Sequence, residues 1–384
     1  MAEYDLDVFG QLINDPVRMG AYDRALREVV KPGSTVLDIG TGTGILALLA
    51  CRYGARRVHA VEVDPIIQTA RAIAAANGMG DRIEFHPIDS TQLDLDERVD
   101  VVVSDIYGVL PLHRRRIPVL ADARERLLKP GGAMIPLREQ LWLAVVSAPE
   151  LHRVVTEPWA RNVFGFDMGA ARDLAANQWR RVELEPAQLA SAPVTIGGFD
   201  HGLASSPHFT ATVQVPVLRD AELNGLGMWF DSELAPGVAF SNAPGNPPLI
   251  YGNGFFPWPE PVAAEKGDTV RIRVRATLSG EQYVWAWDSA VLAGGVDSRP
   301  RASFRQATLL GMALASDELR KLAADHVAAL NPEGEMARMV LEGLAQGATL
   351  GAIAHAVREA FSDRFRREAD ALAHVTRLSA RYGQ

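Results

Sequence analysis

Between Lys31 and Leu143, short β-branched runs alternate with longer stretches whose apolar residues recur at helical spacing. The runs are TVLDIG, RVHAVEVD, RIEFHPID and VDVVVSD, and the helical stretches include Ile45 to Tyr53 and Ile66 to Asn77. This alternation predicts a mostly parallel sheet wrapped by helices, an α/β, Rossmann-like domain over residues 1–139. After Pro136 the texture changes to strand-like segments parted by Gly, Pro and Asn, among them TATVQVPVL, GLGMWFDSEL, TVRIRVRATL and QYVWAWDSAV. They predict an antiparallel β domain over 140–300, interrupted by a helical stretch near Met168 to Ala176. From Leu309 to Tyr382 helical spacing returns, broken at Asn331-Pro332-Glu333-Gly334, and predicts a small helical domain over 301–384. Within it Thr349 stands where it can cap a helix.

With 384 residues, 48% of them hydrophobic, the chain can bury more than one core. Acidic residues outnumber basic ones, 47 to 39, so the formal charge of -8 gives no overall attraction to nucleic acid or an anionic membrane. Cys51 is the only cysteine, which excludes a disulfide or a cysteine metal cluster within one chain, and no metal ligands are read from the sequence. No apolar run is long enough for a signal peptide or a membrane span, so the expectation is a soluble, cytoplasmic protein.

The first strand runs into a glycine turn, G-T-G-T-G, which places Gly40, Gly42 and Gly44 between strand and helix with Asp38 two residues ahead. Glycine lets the chain bend there and lets a ligand approach the backbone. The spacing differs from the G-x-G-x-x-G usual for nicotinamide dinucleotides. Glu62 ends the next strand, where a carboxylate can accept both hydroxyls of a ribose, and Asp89-Ser90 follow the third strand, where they can meet an adenine edge.

These segments together resemble the protein arginine methyltransferases. The likeness begins at NDPVRMGAY, continues through VLDIGTGTGILALLACRYGARRVHAVE, SDIYGVL and VFGFDM, and extends to GLGMWFDSEL and PGNPPLIYGNGFF, covering about Phe9 to Leu292. It implies a Rossmann-like domain that binds S-adenosylmethionine, then a β barrel with a helical dimerisation arm at about 150–180, and a head-to-tail homodimer. It carries the family's cofactor-carboxylate arginine onto Arg18, and adds Asp38, Gly40, Gly42, Gly44, Glu62, Asp89 and Ser90 to the cofactor site.

The family's chemistry uses two carboxylates around the loop after the fourth strand, because a guanidinium with a pKa above about 12 must be oriented and polarised. Here the loop reads SDIYGVLPLHRRR: the first carboxylate falls on Asp105, the second on Arg114, and no Asp or Glu occurs from Ile106 to Ala121. Exchanging attraction for repulsion at about 6 Å reverses a term of roughly 3 kcal/mol at an effective dielectric near 20. The family's Thr-His-Trp loop also departs, becoming Ile250-Tyr251-Gly252, so the histidine that supports an aspartate matching Asp15 becomes Tyr251.

Methyl transfer from a sulfonium mainly requires a lone pair held against the methyl carbon in a dry site. Asp105 is the candidate base, Tyr107 and Tyr251 can orient an acceptor, and His113 can shuttle a proton. The run Arg114-Arg115-Arg116 can pair an anionic acceptor, through Arg114 above all, and a solvated helix start is an equal reading of Arg115 and Arg116. Trp258 in FFPWPEP can line the acceptor pocket or fill the core. The segment from Leu330 to Phe361 resembles a small winged helix of the kind that binds peptide leaders; eleven Lys/Arg against ten Asp/Glu from Arg301 to Gln384 do not make a DNA-binding face. The expected acceptor is a nitrogen of a peptide, protein or small amino-acid-derived metabolite. The alternatives are true protein arginine methylation and a non-catalytic, cofactor-binding scaffold.

Overall fold

The computed structural model describes residues 6–160, 164–203, 206–294, 300–312 and 327–383. Its backbone divides into two compact units, residues 1–313 and 314–384.

The first unit opens with helices α1 (Leu6–Asn14) and α2 (Pro16–Val29). Asp15 separates them: its carboxylate accepts from Val17 N and Arg18 N, and Pro16 supplies the preset first position of α2. There follow β1 (Thr35–Ile39), α3 (Ile45–Arg52), β2 (Arg57–Val61), α4 (Ile67–Ala76), β3 (Ile83–His86), β4 (Val99–Ser104), α5 (Arg116–Asp122) and β5 (Leu128–Ile135). The strands form a parallel sheet in the order β3-β2-β1-β4-β5. Every residue of β1 is buried, as a central strand covered on both faces requires. The chain leaves β1 toward β2 on one side and returns on the other through β4, so the carboxyl ends of β1 and β4 flank a crevice suited to a ligand.

The β domain begins with β6 (Arg138–Val146), helices α6 (Pro149–Ala160) and α7 (Gly169–Ala176), β7 (Arg180–Val182), β8 (Val194–Asp200) and β9 (Phe209–Pro216). It continues through β10 (Ala221–Ala235), β11 (Val238–Ser241), β12 (Asn253–Ala264), β13 (Thr269–Ser279), β14 (Gln282–Leu292) and β15 (Pro300–Ala307). Its ladders form two sheets, β7-β12-β10-β6-β8 with β11 on β10, and β15-β14-β13-β9. Inward residues of both, among them Met228, Phe230, Ile272 and Trp287, share one core with the parallel sheet. Strand β15 extends this domain beyond Arg301, where the sequence predicts the helical unit to begin. Its alternating exposure fits an edge strand paired to β14.

The second unit contains α8 (Pro332–Ala345), α9 (Leu350–Ala360) and α10 (Glu368–Tyr382) around a core that includes Met336, Val340, Ile353, Val357 and Val375. Asn331 caps α8 through Gly334 N at 2.8 Å, and Thr349 caps α9 through Ala352 N at 3.3 Å, the position the sequence marked. Among its described residues no strand follows the helices, so the winged-helix likeness is limited to the helical part. The expected helical stretch after Leu309 opens as a 3-10 turn, Thr308–Gly311, and residues 313–326 lie outside the described residues.

Candidate active site

The turn after β1 is tied to β2 by Gly40 N and Thr41 N, which both donate to the carbonyl of Val61, at 2.9 and 3.0 Å. Gly40 has φ +73°, and a Cβ there would lie 2.5 Å from Ile106 Cγ1. Gly42 has φ +52°, and a Cβ there would meet the Phe9 ring at 2.8 Å. Both positions therefore demand glycine on backbone and on space. Glu62 Oε2 accepts from Gly42 N at 3.1 Å and Oε1 from Asp64 N at 3.0 Å, so the carboxylate is fixed at the lip of the turn. Burial raises its pKa.

The turn forms one side of a cavity of about 650 Å³. Gly40 to Thr43, Glu62 and Asp64 line one end, and Arg18, Asp105, Tyr107, His113, Arg114 and Tyr251 line the other. The structure thus brings together most of the residues read from the sequence, and corrects several. Asp38 is fully buried behind the turn, accepting from Thr41 Oγ1 at 2.6 Å, and burial lifts its pKa to about 7. It shapes the loop without lining the cavity. Gly44 caps α3 against Ala70 and is also outside the lining. Asp89 spends its carboxylate on the turn that follows it, accepting from Thr91 N at 2.9 Å and Thr91 Oγ1 at 2.6 Å. Ser90 is buried beside Arg126, and neither Asp89 nor Ser90 lines the cavity.

Opposite the glycine turn, Asp105 is held from two sides. Tyr251 Oη donates to Oδ1 at 2.8 Å, and the guanidinium of Arg18 pairs with Oδ2. Arg18 also donates to the carbonyl of Leu12, so the cation expected at the cofactor's carboxylate is engaged with Asp105, although its Nε has no protein partner. Tyr251 does not take over the expected support of Asp15, which instead caps α2 and accepts weakly from Ile250 N at 3.3 Å. Tyr107 gives its hydroxyl to a hydrogen bond with Ser232 at 2.8 Å, and its ring stacks on Phe230. The group it offers the cavity is a ring, not an orienting hydroxyl.

His113 is poorly suited to shuttle protons near neutrality. Burial, then the charges of Arg114 and Arg116, push its pKa down to about 4. Arg114 lines the cavity from a left-handed backbone conformation, φ 44°, uncommon for a non-glycine residue. Arg115 is half exposed, but Arg116 is not the solvated helix start expected of it. It is fully buried, pairs bidentately with Glu139 at 2.6 and 3.0 Å, and lies 4.1 Å over the ring of Tyr107. His201 also reaches Glu139, at 3.0 Å. Burial opposes the charge of Glu139, but Arg116 and His201 outweigh it and hold the pKa near 2. Trp258 is fully buried, donates to Ser289 at 3.1 Å and packs on Phe304, so it belongs to the core and not to the pocket.

Sequence reading missed Phe9, Leu12 and Ile13 of α1, which form a wall of the cavity. Their i, i+3, i+4 spacing was a usable signal. Glu139, Ser232 and His201 carried none, because only strand pairing brings them beneath the loop.

A parallel sheet with a glycine turn after β1, a carboxylate ending β2 and an acid ending β4 defines a class I, S-adenosylmethionine-dependent methyltransferase. The residues fit that cofactor: the cradle at Gly40 and Gly42 is one a Cβ would fill, Glu62 stands beside it, and Arg18 keeps an unpartnered buried Nε at the cavity wall. Comparison with known proteins narrows the class. Residues 24–136 match the family of ribosomal protein L11 methyltransferases (PrmA). The chain is 33% identical over 273 residues to the arginine N(omega)-methyltransferase of Streptomyces achromogenes subsp. streptozoticus, covering 68% of this chain and 74% of that one. It is 27% identical over 307 residues to protein arginine N-methyltransferase PRMT10 of Arabidopsis thaliana, covering 71% and 80%. The solved structure of Arabidopsis thaliana protein arginine methyltransferase 10 superposes with a TM-score of 0.69 at 25% identity, covering 79% of this chain and 97% of that one. The Trypanosoma brucei PRMT1 enzyme-prozyme complex with AdoHcy shares the fold at a TM-score of 0.72 and 21% identity, over 79% and 98% of the two chains. The chain belongs to the arginine N-methyltransferase family and is an S-adenosylmethionine-dependent enzyme that methylates a nitrogen. That favours the enzyme reading over the scaffold one.

Proposed function

We propose that the acceptor is a nitrogen that reaches the site uncharged, on a peptide, protein or amino-acid-derived metabolite. The observation that carries this is the charge around Asp105. Its carboxylate is already matched by Arg18, and Glu139 by Arg116, and the loop position where the family carries its second carboxylate is held by the cavity-lining Arg114. A guanidinium brought there lacks the attraction of a second carboxylate, a loss of roughly 3 kcal/mol at about 6 Å and an effective dielectric near 20.

The bound cofactor supplies the electrophilic methyl group. The Gly40–Gly42 turn and Glu62 hold its nucleoside, and Phe9 and Ile106 exclude water from the cradle. Tyr251 and Arg18 fix Asp105 so that its remaining lone pairs can accept an acceptor N–H and stabilise the positive charge that develops on the nitrogen. His113, neutral at physiological pH, serves as a hydrogen-bond partner.

A second reading is arginine methylation itself, favoured by the names of the relatives, among them the Streptomyces enzyme. In it Asp105 alone would orient the guanidinium. Labelled methyl transfer to free arginine, to arginine-rich peptides and to a size-fractionated host extract separates the two. Labelled arginine at rates matching the extract overturns the charge argument; label confined to extract fractions upholds it and gives the acceptor's mass. Exposed Val154, Trp159, Phe164, Phe166 and Met168 around α6 and α7 support a homodimer built through this arm. The single, buried thiol of Cys51 suits a reducing, cytoplasmic setting. No helix among the described residues is long and apolar enough to cross a membrane.

A further inference from the structure

Away from the cavity, on the outer strands of the parallel sheet, three side chains converge. His59 on β2 is paired in register with Glu84 on β3, and His86 lies two residues further along the same face of β3. His59 Nδ1 and His86 Nε2 are 3.2 Å apart, and the oxygens of Glu84 lie 3.6 Å from the first and 3.8 Å from the second. We propose that His59, His86 and Glu84 form a binding site for a divalent first-row transition metal, zinc foremost, that cross-links β2 to β3.

The geometry carries this inference. Two zinc–imidazole bonds of about 2.0–2.1 Å made to nitrogens 3.2 Å apart subtend about 100°, close to the tetrahedral angle. A ligand oxygen in such a shell sits roughly 3.4 Å from each nitrogen. Glu84, half exposed and at the rim, needs only a small side-chain rotation to arrive. Its Oε2 pairs with Arg57 at 3.0 Å, which leaves Oε1 for the metal while Arg57 steadies the other oxygen. Two imidazoles and one carboxylate suit zinc, nickel or cobalt and disfavour calcium and magnesium, which take oxygen ligands. A shallow depression lined by Arg57, Arg71 and Glu84 adjoins the cluster and gives a fourth, water ligand access.

The location gives the site a purpose. β3 is a four-residue edge strand, hydrogen-bonded only to β2 in this sheet. The carbonyl of His86 accepts from Glu62 N at 3.2 Å, so the end of β3 braces the residue that stands at the cofactor cradle. A metal bridging His59 and His86 pins that brace.

The test uses the tag-free full chain, stripped with a chelator and titrated with Co²⁺ and then Zn²⁺. Expected are a visible cobalt ligand-field band that saturates near one equivalent, its displacement by zinc, and a zinc-dependent rise in thermal midpoint. His86→Gln and Glu84→Gln should each weaken cobalt binding by more than about tenfold, and the double variant should lose the zinc-dependent rise. An unchanged far-ultraviolet circular dichroism spectrum shows that the variants are folded, and Glu84→Gln alters a half-exposed side chain. No ligand-field band in the wild type, or undiminished binding by the double variant, overturns the site and leaves a hydrogen-bonded histidine pair.

Discussion

In the proposed reading Asp105 concentrates the chemistry of the acceptor end, and its two supports are separable by substitution. Tyr251→Phe removes one hydrogen bond to a charged group, worth about 1.5–3 kcal/mol. Methyl transfer, read as kcat/KM on the labelled fraction, should fall by about 10- to 100-fold while cofactor affinity is unchanged; an equal loss of cofactor affinity would count against a role at the acceptor. Asp38 gives a pH signature. Its pKa rises from an ordinary 3.8 to about 7 in the folded chain, so the folded state holds the proton more tightly than the unfolded one and loses stability as pH climbs between those values. Asp38→Asn should show little advantage near pH 4 and a growing one toward pH 7, then level off, in thermal midpoints measured across that range. Gly40, Gly42, Glu62 and Asp105 were legible in the sequence because a turn and strand ends fix where such residues point. Asp89 and Trp258 were not: a cap to Thr91 and a bond to Ser289 compete for the same polar atoms, and spacing cannot show which wins.

At the level of elements, α5 and β6 are joined by a pair that no pattern announces. Arg116 and Glu139 have fully buried side chains, 23 residues apart in the chain. Removing one partner of a buried pair costs about 3–5 kcal/mol, whereas replacing both with apolar groups is often neutral. Arg116→Ala should therefore lower unfolding free energy in denaturant by that order, and R116M/E139L should recover most of it; equal instability of the two would place the cost in packing over Tyr107 instead. The alternation of strands and helices was readable along β1 to β5 because parallel strands buried on both faces announce themselves as apolar runs. The arginine cluster was misread at Arg116 because a charge next to two other charges looks solvated until a carboxylate from another strand is folded against it. The same limit hid His59, Glu84 and His86, which lie far apart until β2 and β3 pair.

For the molecule as a whole, the residues that line the cavity all fall between Phe9 and Tyr251, within the first compact unit. A chain ended after Met312 should keep cofactor affinity within about twofold by calorimetry; a large loss would mean that the second unit supports the cradle. If the proposed homodimer is built through this arm, Phe166→Arg should shift the particle mass by light scattering toward that of a monomer, and an unchanged mass would count against the arm. The two-layer plan was legible from the change in period near Pro136, while the acceptor was not, since one fold hosts many chemistries. The clamp between Arg116 and Glu139, with Tyr107 bound to Ser232, has a consequence for inheritance. The loop that meets the acceptor is encoded in the parallel-sheet half, yet its form is set by residues of the β half. Exchanging β halves between relatives would thus reshape the acceptor loop without altering one of its codons, and drift in the scaffold becomes a route to new substrates.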